Sequence, residues 1–345
     1  MSQDRVSQDR KLRWGILGAA RVNERLLPAI VDAANAELVA IASRRPGAAA
    51  ATVQKHAPQA ASAVKSYDEP EALLDDDNVE AVYLPMSNHE HTEWALKAIA
   101  KGKHVLIEKP LALTVADVDA IANAAQQQGV IVMEGFMYVF HPQFARVQEL
   151  LRSGVIGDVK FVRASYSFIM KPARLYRLEK DVDHGGGAMW DIGPYAIHSL
   201  RSVFGTEPKS VVTIAQYTES GADIATSGVF DFGEGRQGQF DIGFECSRRS
   251  EYQVTGSKGG LKCHTVWQQA GDVPVITWWT EDGHFWEERL PASSHFILEI
   301  EHFSDCVLNG KPPFLSLADA RGNCKAIVAA MQSAAQGQRV EISPD

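Results

Sequence analysis

Cysteine is scarce in this 345-residue chain, and the four present, Cys246, Cys263, Cys306 and Cys324, all lie in its last third. None forms a CxxC pair, so neither a disulfide frame nor a cysteine metal cluster is expected, and the thiols read as reduced in a cytoplasmic protein. Basic charge is also short, with 34 Lys and Arg against 43 Asp and Glu, a formal net charge of −9 and a pI near 5.7. Nucleic-acid binding wants a basic face, which this balance argues against. No apolar run approaches the ~18–20 residues of a membrane span. Eleven histidines occur without HExxH or CxxC spacing, and no metal site is expected. The tandem Ser-Gln-Asp-Arg at 2–5 and 7–10 lacks the apolar core of a secretory signal, so residues 1–11 read as a flexible or partner-wrapping arm.

What is present is length, rhythm and a few chemically pointed segments. A chain of 345 residues is long enough for two cores. From 12 to about 135, short apolar runs (12–17, 37–42, 81–84, 104–107, 130–133) alternate with helical stretches (23–34, 46–56, 90–100, 115–128). Such alternation predicts βαβ units and a doubly wound parallel sheet over 12–137, whose strand ends gather on one edge. After about 155 the rhythm changes: a strand at 160–169, a helix at 188–204, seven strands between 210 and 290, and closing helices at 296–308 and 317–336. Residues 138–345 therefore read as an α+β domain with one large, mainly antiparallel open sheet. Gly256-Ser257-Lys258-Gly259 supplies hairpin chemistry between two of its strands.

The first strand-to-helix turn reads Gly18-Ala19-Ala20-Arg21-Val22-Asn23. Against the dinucleotide fingerprint G-x-G-x-x-G only the first glycine survives. Gly18 permits the tight turn, Ala20 is small enough for close backbone approach, and Asn23 is a candidate helix cap. The second strand ends in Ser43-Arg44-Arg45, where an NAD-selective site wants a carboxylate for the ribose 2′-hydroxyl. A hydroxyl and two guanidinium forks suit a 2′-phosphate instead, so the expected cofactor is NADP.

Three segments, 14–21, the run Lys101-Gly102-Lys103-His104-Val105-Leu106-Ile107-Glu108-Lys109-Pro110-Leu111, and 185–195, resemble the Gfo/Idh/MocA oxidoreductase family. The resemblance extends over essentially the whole chain from residue 12. It is closest to the branch of glucose–fructose oxidoreductase, NADP-linked xylose dehydrogenase, aldose–aldose oxidoreductase and dimeric dihydrodiol dehydrogenase, which carries tyrosine at position 195 where many relatives carry histidine. The segment Tyr176-Arg177-Leu178 also matches that branch. The resemblance implies that Leu84, Pro85, Asn88, His91 and Glu108 flank the bound nucleotide. It further implies that Arg177 reaches the nicotinamide or the substrate, and that the Lys109-Pro110 bond is cis.

The chemistry divides among a few residues. Lys109 follows a core strand, and its ammonium would bond the nicotinamide ribose and the reacting oxygen while lowering the pKa of a nearby phenol. Tyr195 is the candidate general acid/base, since a phenol near pKa ~10 needs a cationic neighbour to work at neutrality. Asp191, four residues earlier, would share the face of one helix and bind substrate hydroxyls or orient Lys109. His198 lies roughly on that face as a second substrate donor or a satisfied histidine. Trp278 and Trp279 point to opposite faces of a strand, so at most one could stack on a sugar.

The expected activity is hydride transfer between the anomeric carbon of an aldose and NADP, with a second sugar able to reoxidise a tightly held cofactor. Alternatives are a trans-dihydrodiol dehydrogenase and a non-catalytic NADP-sensing regulator; NAD-dependent glycoside hydrolysis is disfavoured by Ser43 and Arg44. A homodimer or higher oligomer is expected through the second-domain sheet. Its uncovered face would carry Trp278 or Trp279, Phe230, Phe232 and Phe240.

Overall fold

Alternating burial and short loops build the amino-terminal half, as seen in a computed structural model that describes residues 10–267 and 273–344. Most of the expected arm, residues 1–9, lies outside the described residues. The elements run β1 (Leu12–Leu17), α1 (Asn23–Asp32), β2 (Ala36–Ala42), α2 (Ala48–His56), β3 (Lys65–Tyr67), α3 (Pro70–Leu74), β4 (Ala81–Leu84), α4 (His91–Ala100), β5 (His104–Glu108), α5 (Val115–Gln128) and β6 (Val132–Gly135). All pairings are parallel, in the order β3-β2-β1-β4-β5-β6. That is the doubly wound order, whose direction switches between β1 and β4. The β4 residues are all buried, as expected of a strand covered on both faces. The small elements β3 and α3 were not anticipated, because a three-residue polar strand carries no apolar period.

The second half contains α6 (Pro142–Arg152), β7 (Val159–Ser167), α7 (Ala188–Asp191), α8 (Gly193–Phe204), β8 (Ser210–Tyr217), β9 (Asp223–Gly233), β10 (Arg236–Gly243), β11 (Arg249–Gly256), β12 (Gly259–His264), β13 (Val275–Thr280) and β14 (Phe285–Arg289). Then come α9 (His295–Asn309), α10 (Leu317–Gln336) and a two-residue strand, β15 (Val340–Glu341). The nine strands form one sheet ordered β14-β13-β12-β11-β7-β10-β9-β8-β15. Only β7 and β10 pair in parallel; every other pair is antiparallel. The β11–β12 turn is Ser257-Lys258, and Gly256 is required because a Cβ there would lie 2.1 Å from the Ile156 carbonyl oxygen.

By contacts the chain divides into two units, 1–137 with 295–320, and 138–294 with 321–345. α9, at 295–309, belongs to the first unit. Its Phe303 packs on Trp14 of β1 at 5.1 Å between rings, and Trp14 Nε1 donates to Ser304 Oγ at 3.1 Å.

Two expectations about the second unit are corrected. The helix at 188–204 is broken: α7 ends at Asp191, Ile192 has φ −121°, and α8 starts at Gly193. Pro194 explains the break, since it has no N–H for the carbonyl four residues back. The faces of the sheet are also reversed from the expectation. Phe230, Phe232 and Phe240 are buried on the side covered by α8, where Phe204 and Phe232 rings lie 4.4 Å apart. The open side instead presents Phe161, Val212, Ile214 and Val229. Strand alternation separates two faces but does not say which one the helices will cover.

Of the cysteines, Cys246 is exposed and the other three are buried, and no disulfide joins any two of them. Among the described residues, no helix is long and apolar enough to cross a membrane, and no group of three or more His, Cys, Asp or Glu is arranged to hold a metal ion.

Candidate active site

In the first unit the site residues gather along the carboxyl edge of the parallel sheet. β1 runs into Gly18, whose φ of +138° excludes side-chain-bearing residues although no atom crowds it closer than 3.7 Å. Asn23 does not cap α1 as expected; Val22 takes that position without a side-chain bond. The buried Asn23 amide instead donates to the Gly18 carbonyl at 2.8 Å, pinning the turn that a third glycine would otherwise close. Ala19, Ala20, Arg21 and Val22 form the loop that leads into α1, and the Asn23, Glu24 and Arg25 N–H groups donate to the Ala20, Arg21 and Val22 carbonyls at 3.2, 3.1 and 2.9 Å.

Ser43, Arg44 and Arg45 separate into three roles. Ser43 is buried, and its Oγ accepts from Arg45 N at 3.3 Å. Arg45 reaches back to donate to the Ala19 carbonyl at 2.7 Å, tying the second strand end to the first turn. Arg44 is 59% exposed and pairs with Glu90 at 2.7 Å, its fork held at the rim. The donor set fits a 2′-phosphate, with Arg44 as the exposed cation.

The segment around Lys109 is fixed at successive positions. Tyr83 Oη donates to Glu108, and Lys109 N donates to the other Glu108 oxygen at 3.1 Å. The Lys109–Pro110 bond is cis. His91 Nδ1 lies 2.7 Å from the Pro110 carbonyl and its Nε2 3.1 Å from that of Met86. Leu111 N donates to buried Glu134 at 2.8 Å. Burial pushes the His91 imidazole down to about 4, so the ring is neutral at physiological pH. With its side chain wholly buried, His91 acts on the loop it holds. Leu84 and Pro85 are buried at the end of β4, and Asn88 opens a short helical turn half-exposed beyond it. Glu299 of α9 was not foreseen; burial and neighbouring Glu108 hold its carboxyl well above the usual range.

The second unit holds Arg177, Asp191, Tyr195 and His198. Arg177 Nη1 forms an ion pair with Asp191 Oδ1. The Arg177 Nε is buried and has no acceptor among the described residues, a donor left for a ligand. Tyr195 lies on α8 in an aromatic wall, with ring centroids 6.2 Å from Tyr138, 5.8 Å from Tyr166 and 6.3 Å from Trp267. His198 is turned away into a bond of 2.5 Å between its Nδ1 and Tyr138 Oη, which places it as a satisfied histidine. Asp191 and Tyr195 do not share one helix, because the break at Ile192 intervenes.

Fold and side chains thus define a dinucleotide-binding α/β unit joined to a sheet unit bearing a polar cluster and a phenol. Residues 12–136 match the oxidoreductase family with an NAD-binding Rossmann fold, and residues 144–262 match the GFO/IDH/MocA C-terminal domain. The chain belongs to the GFO/IDH/MocA oxidoreductase family. It is 30% identical over 331 residues to D-xylose 1-dehydrogenase (NADP(+)) 2 of Haloferax volcanii, covering 96% of this chain and all of that one. It is 32% identical over 305 residues to dTDP-3,4-didehydro-2,6-dideoxy-alpha-D-glucose 3-reductase of Actinomadura kijaniata, covering 88% and 89% of the two chains. Among solved structures it resembles a 3-ketoreductase from Actinomadura kijaniata in complex with NADP and TDP-benzene, with TM-score 0.86, 29% identity and coverage of 94% and 98%.

Proposed function

We propose that this protein is an NADP-dependent oxidoreductase that moves hydride between the anomeric carbon of an aldose and the nicotinamide. The observation that carries the reading is the Arg177–Asp191 pair with its unspent Arg177 Nε, one short helix break before a phenol walled by aromatic rings. Such a cluster offers donors and acceptors for a neutral polyol beside one group able to move a proton. Bound NADP supplies or accepts the hydride. Gly18 to Val22 would hold its pyrophosphate, and Arg44, with Ser43, its 2′-phosphate.

Lys109 and Tyr195 act on the same substrate in this reading. The anomeric C–H bond breaks with its electron pair leaving as hydride, and the anomeric hydroxyl proton passes to Tyr195. The Lys109 ammonium favours the phenolate that receives it. The lactone so formed hydrolyses to an aldonic acid. Asp191 and Arg177 hold the remaining hydroxyls.

The similarity to a nucleotide-linked sugar 3-reductase favours a second reading, in which the substrate is a keto group on a dTDP-sugar. Absorbance of reduced nicotinamide, followed after mixing purified protein and NADP(H) with a panel of free aldoses and a dTDP-linked keto sugar, separates the two. Turnover of free aldoses is expected. Exclusive turnover of the nucleotide sugar would replace the first reading with the second.

A further inference from the structure

Asp223 is used by nothing described so far, yet it lies under the segment that carries Arg177 and Asp191. It is 2% exposed, at the start of β9. Its carboxylate accepts from Met189 N at 2.9 and 3.2 Å and from Thr226 Oγ1 at 2.7 Å. The triple glycine is shaped around the same group. A Cβ on Gly187, which has φ +95°, would lie 2.0 Å from Asp223 Oδ1, and one on Gly186 would lie 1.8 Å from the Lys180 carbonyl oxygen.

The rest of the β8–β9 turn grips the same segment. Ser220 Oγ donates to the Leu178 carbonyl, and a Cβ on Gly221 would meet Asp181 Cβ at 3.2 Å. Gly187 N donates to the Arg177 carbonyl at 2.9 Å, which links both members of the ion pair to one anchor. We propose that Asp223 is a positioning residue that holds the Arg177 and Asp191 segments in register for the reaction of Tyr195. The inference rests on the functional reading above.

A purely structural carboxylate would be a poor choice here. Burial pushes the Asp223 carboxyl up to about 6, against the bonds from Thr226 and Met189 that pull it down. An acid with a raised folded pKa adds stability only in its protonated form: the contribution is complete below the ordinary carboxyl value of 3.8 and is lost as pH rises to about 6. At neutral pH the ionised group therefore opposes folding relative to a neutral isostere, while its second acceptor oxygen keeps the turn in place. Asparagine keeps one oxygen for the Met189 N–H but replaces the other with an NH2, which the Thr226 hydroxyl can accept from, so the two-oxygen hold on the turn is lost.

The test is Asp223→Asn in the full-length protein. Stability at neutral pH should be equal or higher, NADPH binding by fluorescence unchanged, and kcat lower by about 10- to 100-fold. Hydrogen exchange at the Ala188 and Met189 amides should quicken. Thr226→Val, which removes one donor to the carboxylate, should move exchange and kcat in the same direction by a smaller factor and serves if Asp223→Asn does not fold. Wild-type kcat with protected amides overturns the proposal, as does a fall in kcat matched by equal losses of stability and NADPH binding. If the wild-type protein turns over no sugar at all, the functional reading fails while the exchange measurement still decides whether Asp223 holds the turn.

Discussion

Arg44 and Arg45 are neighbours in sequence, yet their side chains have different tasks. Arg45 is committed to the Ala19 carbonyl, whereas Arg44 is exposed and paired with Glu90. Replacing Arg44 with alanine should weaken NADP by about 10- to 100-fold, the equivalent of one charge-assisted bond worth ~1.5–3 kcal/mol. NAD affinity should hardly change, and equal loss of both coenzymes in titrations would show that Arg44 does not read the phosphate. Tyr195→Phe removes the proton carrier without touching the cradle, so turnover should drop by ~10²–10⁴-fold with NADP binding intact. A mutant keeping more than half the wild-type rate at saturating sugar removes Tyr195 from that role. Lys109, Asp191, Tyr195 and the Gly18 turn stood out as candidates in the sequence because each belongs to a short motif at a strand or helix end. His91, Glu134 and Asp223 were not legible in the roles they play, since a buried clamp acts through a distant carbonyl or amide that no local spacing announces.

Elements with a strong apolar period, such as β1, β4 and α5, appear with the expected bounds or within a residue or two. Those that failed to show themselves had weak local signals. α6 begins at His141-Pro142, with the His141 side chain accepting from Gln143 N at 3.0 Å, an uncommon cap. The break between α7 and α8 was signalled by Pro194, but the apolar pattern runs through it. The turn that opens α7 invites a paired measurement. Gly187→Ala places a methyl against Asp223 at φ +95°, while Gly205→Ala puts one into open space at φ +65°. Gly205, with ψ 24°, incurs the left-handed cost of ~1–2 kcal/mol, whereas Gly187, with ψ 174°, lies in a region essentially restricted to glycine. Only Gly187→Ala adds a clash, and its loss of stability in urea unfolding should exceed that of Gly205→Ala by at least ~2 kcal/mol. Equal losses would mean that the Gly187 contact relaxes freely.

At the scale of the molecule, the nine-stranded sheet has one side on which Phe161, Val212, Ile214 and Val229 are exposed among the described residues, and that side is where two copies are proposed to meet. Phe161, Val212 and Val229 are part-exposed there and Ile214 is 78% exposed. Between them Asp241 accepts from Ser165 at 2.6 Å and pairs with Arg163 and Arg249, a polar centre that would give such a pairing its register. Apolar patches of this extent are uncommon on monomers, and a two-fold pairing of sheet faces covers them in a closed assembly. Light scattering at micromolar concentration should give at least a dimer, and Ile214→Arg should shift it toward monomer with the fold retained. A clean monomer for the unaltered protein removes the pairing.

The sequence by itself determined the class of each half, most of the strands in their order along the chain, and which residues stand as candidates for the chemistry. These rest on period, turn chemistry and short motifs, all of which act over a few residues. Only tertiary structure decided which face of the second sheet is covered, that α9 returns to the first unit, and that a carboxylate from β9 grips the glycine turn. Each of these depends on which surfaces meet across long stretches of chain, and the free energy of burial is set by that meeting and not by the local pattern.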